Sequence, residues 1–211
     1  MDVRLLKLLS LSLLSVFATN DTVQAADFQR LDHAVPRGGN TEKYAPVFDF
    51  DGDGCLPSAG ISRNGIQNPG LRTTGSITGQ CRSPNFLVTS NTLHRYACIT
   101  SGGVNYCGHF YSLYFEKDQC YEAQALPDPV CGHRHDWEHA AVWTINGVIT
   151  HGGVSAHGDL ESKPIAQLPR EGDHFKVVYH KDASGGGTHA LRFAKNNEYA
   201  ENPYGMFVTP V

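Results

Sequence analysis

Gly132-His133-Arg134-His135-Asp136-Trp137-Glu138 places two imidazoles, two carboxylates, a guanidinium and an indole in seven consecutive residues. Core-building sequence does not look like this. Burying His133, Arg134, His135, Asp136 and Glu138 together is costly unless they satisfy one another or hold an ion. The residues that follow, Ala140-Ala141-Val142-Trp143-Thr144-Ile145, read as a buried strand with Trp143 in the core. The polar run is therefore expected at the mouth of a rigid element. On a straight strand Asp136 and Glu138 share a face and His133 takes the other. On a helical turn His133 and Asp136 meet at i, i+3. All three converge only where the chain turns before Asp136 and then extends, and Gly132 suits such a turn. One imidazole with two or three carboxylates is an oxygen-rich set that favours Mg²⁺ or Ca²⁺ over a structural zinc. A solvated, salt-bridged loop without an ion is the alternative that spacing leaves open.

Outward from this run, Gly, Pro, Asn and Ser punctuate the chain and helical periodicity is scarce. Strands are predicted over residues 108–115, 139–144, 174–179 and 189–193, and a short helix near residues 32–35. The expected class is mainly β: a single-domain β-sandwich with a few peripheral helices.

Residues 1–25 read as a secretory signal peptide. Arg4 and Lys7 precede an apolar run from Leu8 to Ala18, and Val23-Gln24-Ala25 is a small-x-small cleavage site. The apolar run is too short for a membrane anchor. The mature domain is then 26–211, exported and extracellular. The charges removed with the leader cancel, so the mature chain keeps the net charge of −4. That balance argues against a nucleic-acid partner and against simple adhesion to anionic lipid.

Export makes the cysteines informative. Cys55, Cys81, Cys98, Cys107, Cys120 and Cys131 read as three disulfides, and no Cys-x-x-Cys pair suggests zinc instead. Sequence alone leaves their connectivity open. Asp49-Phe50-Asp51-Gly52-Asp53-Gly54-Cys55 opens like a calcium loop, with Asp49, Asp51 and Asp53 at positions one, three and five. Position twelve is Gly60 rather than Glu, and Pro46 and Pro57 discourage flanking helices, so it is not an EF-hand. A second Ca²⁺ site or a plain Asp/Gly turn are the two readings.

The heptapeptide resembles, at all seven positions, the hallmark of the necrosis- and ethylene-inducing peptide 1-like proteins, also called NPP1-like proteins. Further segments resemble that family in the same order: Phe48 to Cys55, Gly79-Gln80-Cys81-Arg82, Tyr114-Phe115-Glu116-Lys117-Asp118-Gln119, Val154-Ser155-Ala156-His157-Gly158, Val177-Val178-Tyr179-His180-Lys181-Asp182 and Glu201-Asn202-Pro203-Tyr204-Gly205. The resemblance implies a β-sandwich similar to actinoporins and fungal lectins. It implies a divalent cation held by residues matching Asp118, His133, Asp136 and Glu138, and pairs Cys55–Cys81 and Cys98–Cys107, which leaves Cys120 with Cys131. In the family the Asp-rich loop has been proposed to bind calcium. The implied partner is a plant plasma-membrane sphingolipid, glycosylinositol phosphorylceramide, whose terminal sugar enters the cavity. Membrane permeabilisation, necrosis and recognition by plant immune receptors follow. Arg134 and His135 are then expected to orient carboxylates or contact ligand, or to be surface charges. Trp137 is expected to pack inward, with sugar stacking as its second reading.

Three departures from the family stand out. The loop from Gln119 to Gly132 is long. Gly185-Gly186-Gly187 replaces a loop that carries an aromatic in some relatives. The chain stops at Val211, so the usual Trp-containing C-terminal segment is expected to be missing. The expected protein is a toxin and virulence factor, not an enzyme. Its alternatives are a non-lytic elicitor or lectin-like relative and a secreted metallohydrolase with Glu138 or His135 as base.

Overall fold

Tyr111, Leu113 and Phe115 alternate along strand β3 (Val104–Gln119), and Ala140 and Val142 along β4 (Gly132–Ile145); all five are buried. This period of two makes one face of the pair a core surface. The computed structural model describes residues 41–62, 64–122, 131–183 and 186–210. The expected signal peptide and the helix expected near residues 32–35 lie outside them.

Two sheets form. The larger is an antiparallel meander of β2 (Leu93–Ser101), β3, β4, β5 (Val148–Ala156) and β6 (Asp159–Pro164), each paired with the next. The smaller is centred on β8 (His174–Lys181). There β1 (Val47–Phe50) pairs in parallel, while β7 (Arg170–Glu171) and β9 (His189–Phe193) pair antiparallel. Phe48, Phe50, Val177, Tyr179 and Leu191 of the small sheet meet Tyr111, Leu113, Phe115, Ala140, Val142 and Val154 of the large one in a single apolar cluster. Each large side chain there contributes about 1.5–3 kcal/mol by leaving water. The architecture is thus the expected sandwich, and all four predicted strands are present. Two single-turn helices, α1 (Thr41–Tyr44) and α2 (Phe86–Thr89), lie among the loops.

One expectation about the core is corrected. Trp143 is only half-buried. It stands on the outer face of the large sheet, edge-on to Phe110 at 5.7 Å and against Gly108. The neighbours Val142 and Thr144 take the inner side by alternation.

All three disulfides occur as the resemblance implied. Cys98 and Cys107 are direct cross-strand partners on β2 and β3, with Cα atoms 4.1 Å apart. Cys120 and Cys131 flank the last β3–β4 pair, Gln119↔Gly132, and so fasten the end of the two strands. Closing such a loop removes freedom from the unfolded chain, roughly 2–4 kcal/mol of stabilisation.

Asp49 ties β1 to the segment at Glu201 and Asn202. Its carboxylate is fully buried and accepts hydrogen bonds from the Glu201 and Asn202 backbone N–H groups and from the Asn202 side-chain amide, at 2.8–3.1 Å. Removing the acceptor strands these donors, and a buried donor without a partner costs about 1–3 kcal/mol. Asp49→Ala is therefore expected to lower the unfolding free energy by about 2–3 kcal/mol in urea denaturation. A loss below about 0.5 kcal/mol would contradict this role.

Candidate metal centre

The β3–β4 ladder runs from Tyr106↔Ile145 to Gln119↔Gly132 and is broken only at Glu116 and His135. His135 has φ +65°, a left-handed conformation that is uncommon for a residue with a Cβ. This one residue resets the alternation. His133 and Asp136 come to one side, while Arg134 and His135 pack under Gly70 and Trp137 under Gly60 on the other. The turn expected before Asp136 is present, but it sits at His135. Gly132 is left-handed as well (φ +87°), and a Cβ there would run into the Asp118 carbonyl. The heptapeptide lies inside β4 rather than at its mouth, because its residues pair with the far end of the long strand β3.

Asp118, opposite His133 in the ladder, completes a cluster. Asp118, His133 and Asp136 each offer one ligand atom, and these atoms lie within 4.8 Å of one another. The two carboxylates are buried, whereas the His133 side chain is 53% exposed, so the cluster opens to solvent on the histidine side. A cavity of about 360 Å³ lies in front, lined among others by His133, Asp136, Glu138, Ser155 and His157. Glu138 lines this cavity but falls outside the group of three; its carboxyl accepts a hydrogen bond from the Ser155 hydroxyl.

Supporting groups hold the carboxylates in place. The Tyr179 hydroxyl donates to Asp136 at 2.8 Å, and the Tyr179 ring stacks on Phe115 at 3.8 Å. His189 grips Asp118 twice: its backbone N–H reaches Oδ2 at 2.9 Å and its Nδ1 meets Oδ1 at 2.7 Å. The His189 side chain is 1% exposed, and its Nε2, 3.7 Å from Asp53, has no hydrogen-bond partner among the described residues. Neither His189 nor Tyr179 was legible as a site residue. They lie on β9 and β8, far along the chain, and although Tyr179 falls in a family-like segment, nothing in the local sequence marks either side chain as a support of the carboxylates.

Burial dominates the electrostatics. It raises the Asp136 pKa from an ordinary 3.8 to about 6, and the nearby Asp118 charge adds to the rise. Burial, then Asp136, push Glu138 up to about 8. This concentration of carboxyl groups calls for protons or for a cation, and two carboxylates with one imidazole suit a hard dication in an open site.

The remaining sequence-level candidates are placed elsewhere. Arg134 reaches the Pro69 carbonyl at 3.4 Å, and His135 shares a 2.7 Å hydrogen bond with the Tyr114 hydroxyl. Both therefore anchor a neighbouring segment and do not face the cluster. Trp137 points outward and is 48% exposed, since Asp136 and Glu138 occupy the inward positions on either side of it. Asp49, Asp51 and Asp53 are not gathered into a cation site. Asp49 is committed to Glu201 and Asn202 and Asp51 faces Arg192 at 3.5 Å, while Arg82 takes the loop carbonyls of Asp51 and Gly54 at 2.7 and 2.6 Å. Two guanidinium groups, those of Arg82 and Arg192, thus bring positive charge to this loop.

Residues 39–207 match the family model for necrosis inducing protein (NPP1), and the chain belongs to that family. It is 35% identical over 136 residues to NLP effector protein 2 of Phytophthora capsici, covering 60% of this chain and 49% of that protein. It is 37% identical over 115 residues to the necrosis-inducing protein NPP1 of Phytophthora nicotianae, covering 52% and 43%. The chain spans about half the length or less of these curated relatives. Its fold superposes on NLPPya, solved in complex with mannosamine and with glucosamine. The TM-scores are 0.56 and 0.55 at 25% identity, over 73% of this chain and 66% of that one.

Folding favours the protonated forms of Asp136 and Glu138, so in the absence of a cation their contribution is complete below about pH 4 and is lost as pH rises through about 6 for Asp136 and about 8 for Glu138. A bound dication needs the deprotonated carboxylates and competes with those protons. Stabilisation by added Mg²⁺ or Ca²⁺ is therefore expected to be small at about pH 5 and to grow steadily towards about pH 8. Thermal melts with and without cation check this. A shift that is independent of pH, or largest in acid, would contradict it.

Proposed function

We propose that this chain is an exported cytolytic effector that binds the head group of a plant sphingolipid, glycosylinositol phosphorylceramide, through a divalent cation. The observation that carries the reading is the Asp118–His133–Asp136 cluster, buried on its carboxylate side and open on its histidine side to a polar cavity. A hard cation held by few protein ligands keeps waters, and sugar hydroxyls can replace them. Glu138, at the cavity wall, is proposed as a fourth ligand once its proton is displaced, with Ser155 fixing its orientation. The amino-sugar complexes of NLPPya support a sugar as the ligand. The relatives are named effectors and necrosis-inducing proteins, which supports a binding toxin rather than a bond-cleaving enzyme. Among the described residues no helix is long and apolar enough to cross a membrane.

A second reading, a non-lytic binder or elicitor, has one observation in its favour. The loop that leads into His189 offers Gly186, Gly187 and Thr188, and an Ala183 at its start, with no large apolar side chain to enter a bilayer. Dye leakage from plant plasma-membrane vesicles decides between the two. Leakage is expected from the wild type in the presence of cation, reduced at least tenfold by chelator or by Asp136→Ala. Leakage that is equal in the variant would sink the cation-dependent reading. Head-group binding without leakage would establish the non-lytic one.

A further inference from the structure

Trp137 belongs to the lining of two cavities. One is the metal cavity. The other is a cavity of about 500 Å³ walled by Gly60, Ile61, Gln67, Asn68, Tyr114 and Trp137 itself. Its volume falls within the usual range for small-ligand sites.

The indole is held but not covered. The Tyr114 ring lies 5.1 Å away at 51°, and Gly60 lies against the far edge of the indole, where a Cβ would come within 2.8 Å of a ring carbon. Gly60 is therefore what allows the ring to lie where it does. Asn68 secures this wall by donating to the Ala59 carbonyl and accepting from the Gly70 N–H. Nearly half of the Trp137 surface nonetheless remains in water. Around it, Gln67 is an exposed residue of the cavity wall, and the hydrogen-bonded Tyr114 hydroxyl and His135 ring supply polar groups. A fixed, exposed aromatic face with hydrogen-bonding groups at its edge matches the two surfaces of a pyranose, one apolar and one hydroxylated.

We propose that this second cavity is a carbohydrate subsite that receives the sugar next to the terminal one, stacked on Trp137. The ligand class is a glycan of at least two residues, with one at the cation and the next across the indole. The inference rests on the sugar-binding reading of the metal cavity, and Trp137 deepens it from a single-sugar site to an extended one.

Calorimetry in the presence of cation tests it with two probes: mannosamine, and the free inositol-linked glycan released from plant glycosylinositol phosphorylceramide. The wild type is expected to bind the glycan about tenfold more tightly than mannosamine, a gain of the size aromatic contacts give. In Trp137→Ala that ratio is expected to fall towards one, and Trp137→Phe to restore part of it. The chain's other tryptophan is Trp143, so Trp143→Phe leaves Trp137 as the sole indole reporter. Its emission is expected to shift to the blue on adding the glycan, which keeps the test independent of whether Trp137→Ala folds. A wild-type ratio near one, a ratio unchanged in Trp137→Ala, or an emission that does not respond would overturn the subsite and leave the metal cavity reading intact. Failure of both probes to bind the wild type would overturn the sugar reading, and the subsite with it.

Discussion

Asp118, Asp136 and Glu138 bring three carboxyl groups out of water at one end of the sandwich, and the surrounding structure answers that concentration of negative charge. Left alone, such groups hold protons: burial first, and repulsion from the neighbouring carboxylate second, raise the pKa values of Asp136 and Glu138. The chain supplies donors to each: His189 to Asp118, Tyr179 to Asp136 and Ser155 to Glu138. Donors fix the oxygens without neutralising them all. A dication does both, and this is the physical reason to read the cluster as a binding site rather than as a salt-bridged surface.

The same constraint explains the local backbone. A regular strand cannot turn His133 and Asp136 to one side while it also presents Asp136 and Glu138 together. One left-handed residue at His135 achieves both, and it lies where the ladder with β3 is interrupted. Its consequence on the opposite face is that Arg134, His135 and Trp137 become the wall against which Gly60, Pro69 and Gly70 pack. The Asp-rich loop joins the same construction from beneath: a Cβ at Gly54 would strike the His189 and Tyr179 rings, so that glycine lets the loop close over the supports of Asp118 and Asp136.

Much of this was legible in the sequence, and the failures have physical causes. Alternation located the strands, and the incompatible periodicities of His133, Asp136 and Glu138 demanded a bend. They did not say which residue bends, because His135 adopts a conformation its type does not announce. The indole of Trp137, set between two ligand positions, is expected to pack inward and fix them, but alternation between two inward carboxylates turns it outward. The Asp loop carried two readings, an ion site or a plain Asp/Gly turn, because spacing alone cannot reveal Arg82 and Arg192, which arrive from distant segments. His189 escaped notice for the same reason: it lies 71 residues from Asp118 along the chain.

Asp118, His133 and Asp136 form the cluster that a dication is proposed to occupy. Anomalous diffraction from crystals soaked in Mn²⁺, which takes similar oxygen ligands, tests that occupancy most directly. The strongest peak is expected between those three side chains, within about 2–2.6 Å of the Asp118 and Asp136 carboxylates. A strongest peak at the Asp51–Asp53 loop, or no peak at the cluster with the carboxylates ionised, would contradict it.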